Sequence, residues 1–117
     1  MSTPAAVASP AAPGATATFT LTPTAAGRCA AQGQLTFATA RGARQQGLTA
    51  LGGAGTGPVE IDCGAVSLAD SAGLAVLLDW LSAAKGAGQT LRYTHLPEDV
   101  VALARISEVD ELLARGV

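Results

Sequence analysis

The residues best suited to chemistry are Asp70 and Ser71, which stand directly before a long apolar stretch. The helical periodicity of that stretch predicts a helix that begins at one of these two residues. A side-chain oxygen there accepts hydrogen bonds from the free amides of the first turn, and the helix dipole favours an anion at the same place. Two alternatives follow for the Ser71 hydroxyl: a helix cap, or a site of phosphorylation and partner contact.

Other arrangements typical of enzymes or metal sites are not indicated. The sequence has one histidine, His95, and two cysteines, Cys29 and Cys63. One imidazole and two distant thiols give no spacing typical of a catalytic triad or a zinc site. Asp62 and Asp70 could form a carboxylate pair, but solvated loop acids are the commoner case. We therefore expect no catalytic residues, no metal and no cofactor.

A glycine-rich run at 52–57 has the composition of a phosphate-binding loop. Such a loop follows a strand, opens a helix and ends on Lys-Ser or Lys-Thr. This run instead follows a predicted helix and precedes a predicted strand. We expect a flexible connector.

The elements that must position Asp70 and Ser71 follow from alternation and helical periodicity. The pattern predicts strand, strand, helix, strand, helix, strand, helix, with crossover connections on a mixed sheet. Gly42 and Gly47 weaken the first helix, since each costs about 1 kcal/mol relative to alanine in a helix interior. The expected ranges are strands at 16–22, 29–37, 59–63 and 91–94 and helices at 38–51, 71–86 and 98–107, with turns at 23–27 and at Gly64.

The helix predicted at 71–86 has two apolar sides. One stripe is expected to be core, because its members recur at helical spacing. It consists of Leu74, Leu77, Leu78 and Leu81. Val76 and Trp80 lie on a neighbouring strip, beside polar residues. An indole on such a flank is typical of a partner surface, and a position under another helix of the same domain fits equally well.

The segments Ile61-Asp62, Asp70-Ser71-Ala72-Gly73-Leu74 and Leu77-Leu78 together resemble the signature of STAS domains. The resemblance extends over about residues 17–115, and only the segment 69–75, which we call the elbow, is specific. It implies a single STAS-type α/β domain at 16–117, with helices packed on a mixed sheet of four to five strands. The cytoplasmic STAS subunit of Mla-type phospholipid ABC transporters is the more similar member, and the anti-sigma factor antagonists are more distant.

The transporter resemblance implies a non-enzymatic cytoplasmic subunit that binds and stabilises or regulates the ATPase at the inner membrane, in the maintenance of outer-membrane lipid asymmetry. The elbow and the following helix would make the contact. The implied contact residues are Asp70, Ser71, Ala72, Gly73, Val76 and Trp80.

The resemblance to anti-sigma factor antagonists implies an alternative function. In those proteins the serine or threonine after the aspartate is phosphorylated, so Ser71 would be the switch. Many such switches carry Gly-Glu-Leu-Asp in the second strand, where this chain has Gly33-Gln34-Leu35-Thr36. The missing acids favour the transporter subunit.

Composition and charge limit the other partners. A net charge of −2 and an aromatic content of 3% argue against nucleic acid. Residues 1–27 lack charged side chains, yet prolines interrupt them and no basic stretch begins them, so neither a signal peptide nor membrane insertion is expected. Residues 1–15, rich in Ala and Pro, are interpreted as a flexible tail. Without an export signal we expect reduced cysteines and a cytoplasmic protein.

Overall fold

The computed structural model describes residues 17–117. Within them the chain forms one α/β domain, as predicted, with four strands and, instead of the three predicted helices, four. The strands are β1 Phe19–Ala25, β2 Arg28–Leu35, β3 Val59–Ala69 and β4 Leu91–Thr94, and the helices are α1 Ala40–Gly53, α2 Ser71–Gly86, α3 Glu98–Ile106 and α4 Asp110–Arg115. The tail predicted at 1–15 lies outside the described residues.

The sheet is mixed, with the strands in chain order. β1 pairs with β2 in antiparallel fashion, whereas β2, β3 and β4 are parallel neighbours. Parallel neighbours need crossover connections, which α1 and α2 provide. Each of these helices therefore begins near the carboxyl end of the strand before it, and the elbow lies at that end of β3.

The helices cover one face of the sheet and leave the other open. Along β3 the side chains of Val59, Ile61 and Cys63 are buried, whereas Asp62 between them is exposed and Glu60 is half-buried. This alternation is typical of a sheet with one covered and one solvated face. The core therefore lies between the sheet and the helices.

Trp80 lies in that core, between α1 and α2. Its side chain is 0% exposed, and its ring centroid is 6.1 Å from that of Phe19. The indole Nε1 donates a hydrogen bond to the Arg44 carbonyl oxygen at 3.2 Å. Gly47 on α1 provides the space, because a Cβ there would lie only 2.7 Å from Trp80 Cδ1. Of the two alternatives for Trp80, the core position is the one found.

β1 begins and ends later than predicted, at Phe19 and Ala25. The strand continues through Pro23, where a turn was expected, because Phe19, Leu21 and Pro23 turn their backbone groups away from β2. This orientation is visible at Leu21, whose N–H donates to the Gln46 side chain of α1. A proline on that side costs no ladder hydrogen bond.

β3 also continues where a turn was predicted, at Gly64. The Asp62 Oδ1 accepts a hydrogen bond from the Gly64 N–H at 2.8 Å, and the register between β2 and β3 shifts over this stretch. A bulge bends a strand without ending it. The turn predicted at Gly64 is therefore wrong.

α4 is an element that the sequence pattern did not predict. Its six residues follow Val109, which provides no side-chain cap. The helix returns the chain to β4, where Val117 N donates to the Leu91 carbonyl oxygen at 3.0 Å and Leu91 N donates to the Val117 carbonyl oxygen at 3.3 Å. The outer edge of β4 is thereby paired at Leu91.

The glycine-rich run lies between a helix and a strand, as predicted, but a side chain holds it. Gln89 is buried, and its Nε2 donates to the Leu51 carbonyl oxygen at 2.7 Å and to the Gly55 carbonyl oxygen at 2.5 Å. These bonds fix the end of α1 and the turn after it. The two cysteines, Cys29 and Cys63, are free and buried.

Candidate functional site

The elbow is built around Asp70, which caps α2. Its backbone is extended, with φ −124° and ψ −169°, and its Oδ1 accepts a hydrogen bond from the Gly73 N–H at 3.0 Å. The helix therefore begins at Ser71, within the range that the sequence predicts. Because Asp70 provides the cap, Ser71 occupies the first helical position with its side chain exposed.

The second carboxylate oxygen of Asp70 binds the end of β2. Its Oδ2 accepts a hydrogen bond from the Phe37 N–H at 3.0 Å, and the Asp70 N–H donates to the Leu35 carbonyl oxygen at 3.3 Å. On the other side of this loop, Thr39 Oγ1 donates to the Gln34 carbonyl oxygen at 2.7 Å. The loop after β2 and the start of α2 are thus held as one unit.

These hydrogen bonds also set the charge of the elbow. Partial desolvation acts to raise the pKa of Asp70, but the backbone amides of Phe37, Gly73 and Ala72 that face the carboxylate outweigh it. The pKa of Asp70 is therefore lower than its ordinary value, because hydrogen bonding to a carboxylate favours the ionised form. At neutral pH the carboxylate is anionic, and backbone donors satisfy it.

Gly73 has a packing role in this structure. It is buried, and a Cβ built on it would overlap the Leu35 carbonyl oxygen and lie 2.9 Å from the Leu35 carbonyl carbon. The first turn of α2 therefore lies directly on the end of β2. Gly73 is thus packed against the end of β2, and its contact with a partner stays a prediction.

Val76 and Trp80 are also packed within the domain. Their exposed fractions are 4% and 0%, because α1 packs on this side of α2 with Gly47 opposite the indole. Both side chains therefore belong to the core in this structure, and their contact with a partner stays a prediction. Of the six predicted contact residues, Ser71 is exposed and Ala72 and Asp70 are half-buried.

The elbow also presents a residue that the sequence pattern did not single out, Phe37. Its side chain is 85% exposed, although its backbone is fixed by the bond to Asp70. Alternation predicted a strand up to Phe37, but β2 ends at Leu35 and leaves the ring in solvent. Exposed aromatic side chains on a fixed backbone are typical of interaction surfaces. We call Phe37, Ser71 and Ala72 the elbow surface.

A second polar group lies on the open face of the sheet. His95 follows the end of β4, as predicted, and its Nδ1 is 3.1 Å from Asp62 Oδ1. Hydrogen bonds from the Gly64 amide and from His95 lower the pKa of Asp62. Asp62 thus pairs with His95 while Asp70 pairs with backbone amides, so the two carboxylates have separate partners.

Residues 17–117, which the structure describes, hold neither a metal-binding cluster nor a membrane-spanning helix. No group of three or more histidine, cysteine or acidic side chains is placed to hold a metal ion. No helix in this part of the chain has the length and apolar character needed to cross a bilayer.

Comparison with known proteins identifies the family. Residues 21–114, which include the elbow, match the family described as "Mlab, STAS domain". The chain belongs to this STAS family. No curated protein matches the STAS domain described here.

The STAS domain is also similar in structure to the anti-sigma factor antagonist SpoIIAA in its unphosphorylated form. The TM-score is 0.56 at 17% sequence identity, over 78% of this chain and 82% of that chain. At this identity the likeness shows the fold alone. STAS domains mediate protein–protein interactions and are typically regulatory rather than catalytic.

Proposed function

We propose that this STAS domain is the non-catalytic, cytoplasmic subunit of a phospholipid-trafficking ABC transporter, and that it binds and stabilises or regulates the transporter ATPase at the inner membrane. Its role would then be in the maintenance of outer-membrane lipid asymmetry. The observation that carries the proposal is the elbow surface, in which an exposed aromatic residue and an exposed serine lie on two backbone segments that Asp70 holds together. The description of the family as Mlab supports the transporter.

The elbow surface is suited to binding because little of it must be ordered. The Asp70 carboxylate already holds the Phe37 amide and the first turn of α2. Ordering of loops and side chains at an interface is one of the main costs of association, so a surface fixed in advance binds more tightly. Phe37 supplies apolar area, Ser71 supplies a hydrogen-bonding hydroxyl, and the small side chain of Ala72 permits close approach.

The same contacts support binding without chemistry. The Asp70 carboxylate accepts from backbone amides, and its lowered pKa makes it a poor general base. The histidine of the chain is engaged with Asp62 on the open sheet face. Burial raises the pKa of the Cys63 thiol to about 12, which leaves it protonated and unreactive at neutral pH.

Binding at the elbow surface is tested with two matched variants. Phe37→Ala removes the exposed ring of the elbow surface, and Ile106→Ala removes a side chain of similar exposure, 85% against 80%, at the end of α3. We expect Phe37→Ala to weaken affinity for the ATPase about tenfold or more, as buried aromatic anchors do, and Ile106→Ala to leave it unchanged. Equal affinities in both variants and the wild type would contradict docking at the elbow.

The alternative function is a sigma-regulatory switch phosphorylated at Ser71 by an anti-sigma kinase. The observation that favours it is the exposed Ser71 side chain, which is free for modification because Asp70 provides the helix cap. Transfer of phosphate to the wild-type chain but not to Ser71→Ala, detected by mass spectrometry after incubation with such a kinase and ATP, would support the switch and count against the transporter subunit.

Ser71→Glu and Ser71→Ala separate charge from the loss of the hydroxyl. Both variants should keep the fold, because the cap is on Asp70. The glutamate adds negative charge beside the Asp70 carboxylate, and this new charge must lose its water when the partner docks. We therefore expect a larger loss of ATPase affinity in Ser71→Glu than in Ser71→Ala. Wild-type affinity in both variants would remove Ser71 from the interface.

A further inference from the structure

Among residues 17–117, the outer edge of β1 pairs with no other strand and is occupied by one side chain of α1. Gln46 Oε1 accepts a hydrogen bond from the Leu21 N–H at 2.8 Å, and Gln46 Nε2 donates to the Phe19 carbonyl oxygen at 3.1 Å. Even-numbered residues of this stretch bond to β2, as the Gln34 N–H does with the Thr18 carbonyl oxygen. The backbone N–H and carbonyl groups of Leu21 and Phe19 therefore point away from β2. The Gln46 amide bonds to them as one residue of a fifth strand would.

The rest of this edge offers acceptors and few donors. Pro23 follows Leu21 on the outward side and has no N–H, so it presents only its carbonyl oxygen. At the opposite edge of the sheet, the backbone of Val117 pairs with Leu91. An unpaired edge is a template for another strand, and this fold closes one edge with backbone and the other with a side chain.

The outward groups of β1 would pair with those of a second β1 in antiparallel orientation about Leu21. The Leu21 N–H and carbonyl of each copy would bond to those of the other, and each Phe19 N–H would meet the Pro23 carbonyl oxygen of the other strand. Because Pro23 has no N–H, the Phe19 carbonyl oxygen would be the one outward group of these three residues without a partner. The strand carries no charged side chain, so no like charges would face each other.

Space for such a strand exists beside β1. A shallow groove of about 540 Å³ runs between β1 and α1. The residues that line it on α1 include Gly42, Thr49 and Ala50, which are small, and Gln46 crosses it. A second strand could enter only after Gln46 has moved away from the edge.

We propose that the Gln46 side chain, by bonding to the edge of β1, prevents β1 from pairing with β1 of a second copy of this chain. The edge of β1 is a latent homodimer surface, and the Gln46 amide holds the wild-type protein in the monomeric state. The proposal concerns this edge alone and does not depend on the function of the elbow.

The test is the solution mass of Gln46→Ala, measured by sedimentation or light scattering over a concentration series. The wild-type chain should remain at 11.5 kDa, and Gln46→Ala should approach twice that mass as its concentration rises. Gln45→Ala is the matched control, since Gln45 is the neighbouring exposed glutamine and lines the same groove. A folded Gln46→Ala protein that stays monomeric, or a dimeric wild type, would overturn the proposal.

Two further variants keep the test decisive. Gln46→Leu preserves the bulk of the side chain and removes both hydrogen bonds, so it should also dimerise if Gln46→Ala folds poorly. Adding Leu21→Pro to Gln46→Ala removes the outward donor and costs no bond to β2, as Pro23 already shows in the same strand. The double variant should return to the monomer mass. A dimer that persists in it must use another surface and would refute pairing through β1.

Discussion

Replacement of Gly47 by alanine should destabilise the domain, although alanine is the better helix former. Within a helix, alanine is favoured over glycine by about 1 kcal/mol. At Gly47, however, the new Cβ would lie 2.7 Å from Trp80 Cδ1 and nearer still to other indole atoms, and the ring is 0% exposed. An extra methyl group in a packed core costs about 1–3 kcal/mol, and the helix propensity returns about 1 kcal/mol of it, so we expect a net loss of up to about 2 kcal/mol.

Gly42 in the same helix provides the matched control. It is exposed, and a Cβ on it would meet nothing within 4 Å. Gly42→Ala should therefore gain about 0.5–1 kcal/mol from helix propensity alone. Urea unfolding measures both changes, and the midpoints should shift in opposite directions at an unchanged m-value. A gain of similar size in both variants would refute the placement of the Trp80 indole against α1.

Two further predictions concern Trp80 and Asp70. Trp80→Ala should lower the free energy of unfolding by about 3–5 kcal/mol in urea, because the fully buried indole would leave a cavity, and a loss under about 1 kcal/mol would contradict its core position. The lowered pKa of Asp70 adds stability that is fully present above its ordinary value of 3.8 and is lost as pH falls through the lower folded value. Asp70→Asn should therefore lose less stability on acidification than the wild type. If the free energies of unfolding of the two proteins fell in parallel as the pH is lowered, Asp70 would not be a source of this stability.

The sequence predicts best the elements whose signals are local. α2 begins directly after Asp70 because a cap and an apolar periodicity coincide there, and β4 has the predicted bounds at Leu91 and Thr94. α3 follows Pro97, as expected of a residue whose backbone suits the start of a helix. α4 was missed because six residues without a side-chain cap carry little local signal.

The contact residues were harder to predict because burial depends on distant parts of the chain. The helical pattern of α2 leaves Trp80 at the border of two faces, and only Gly47, on another helix, makes room for its ring. That glycine weakened the prediction of α1, although it is the residue that lets α1 pack on α2. Phe37 was missed for a similar reason, since alternation does not show that β2 ends at Leu35.

The central claim is that this chain binds an ABC transporter ATPase without catalysing a reaction. The most direct test is calorimetric titration of the purified ATPase subunit of the same cell into the purified wild-type chain, with both proteins shown to be folded. We expect saturable, stoichiometric binding that persists at moderate salt, because the elbow surface is largely uncharged. Absence of binding at low and moderate salt would contradict it.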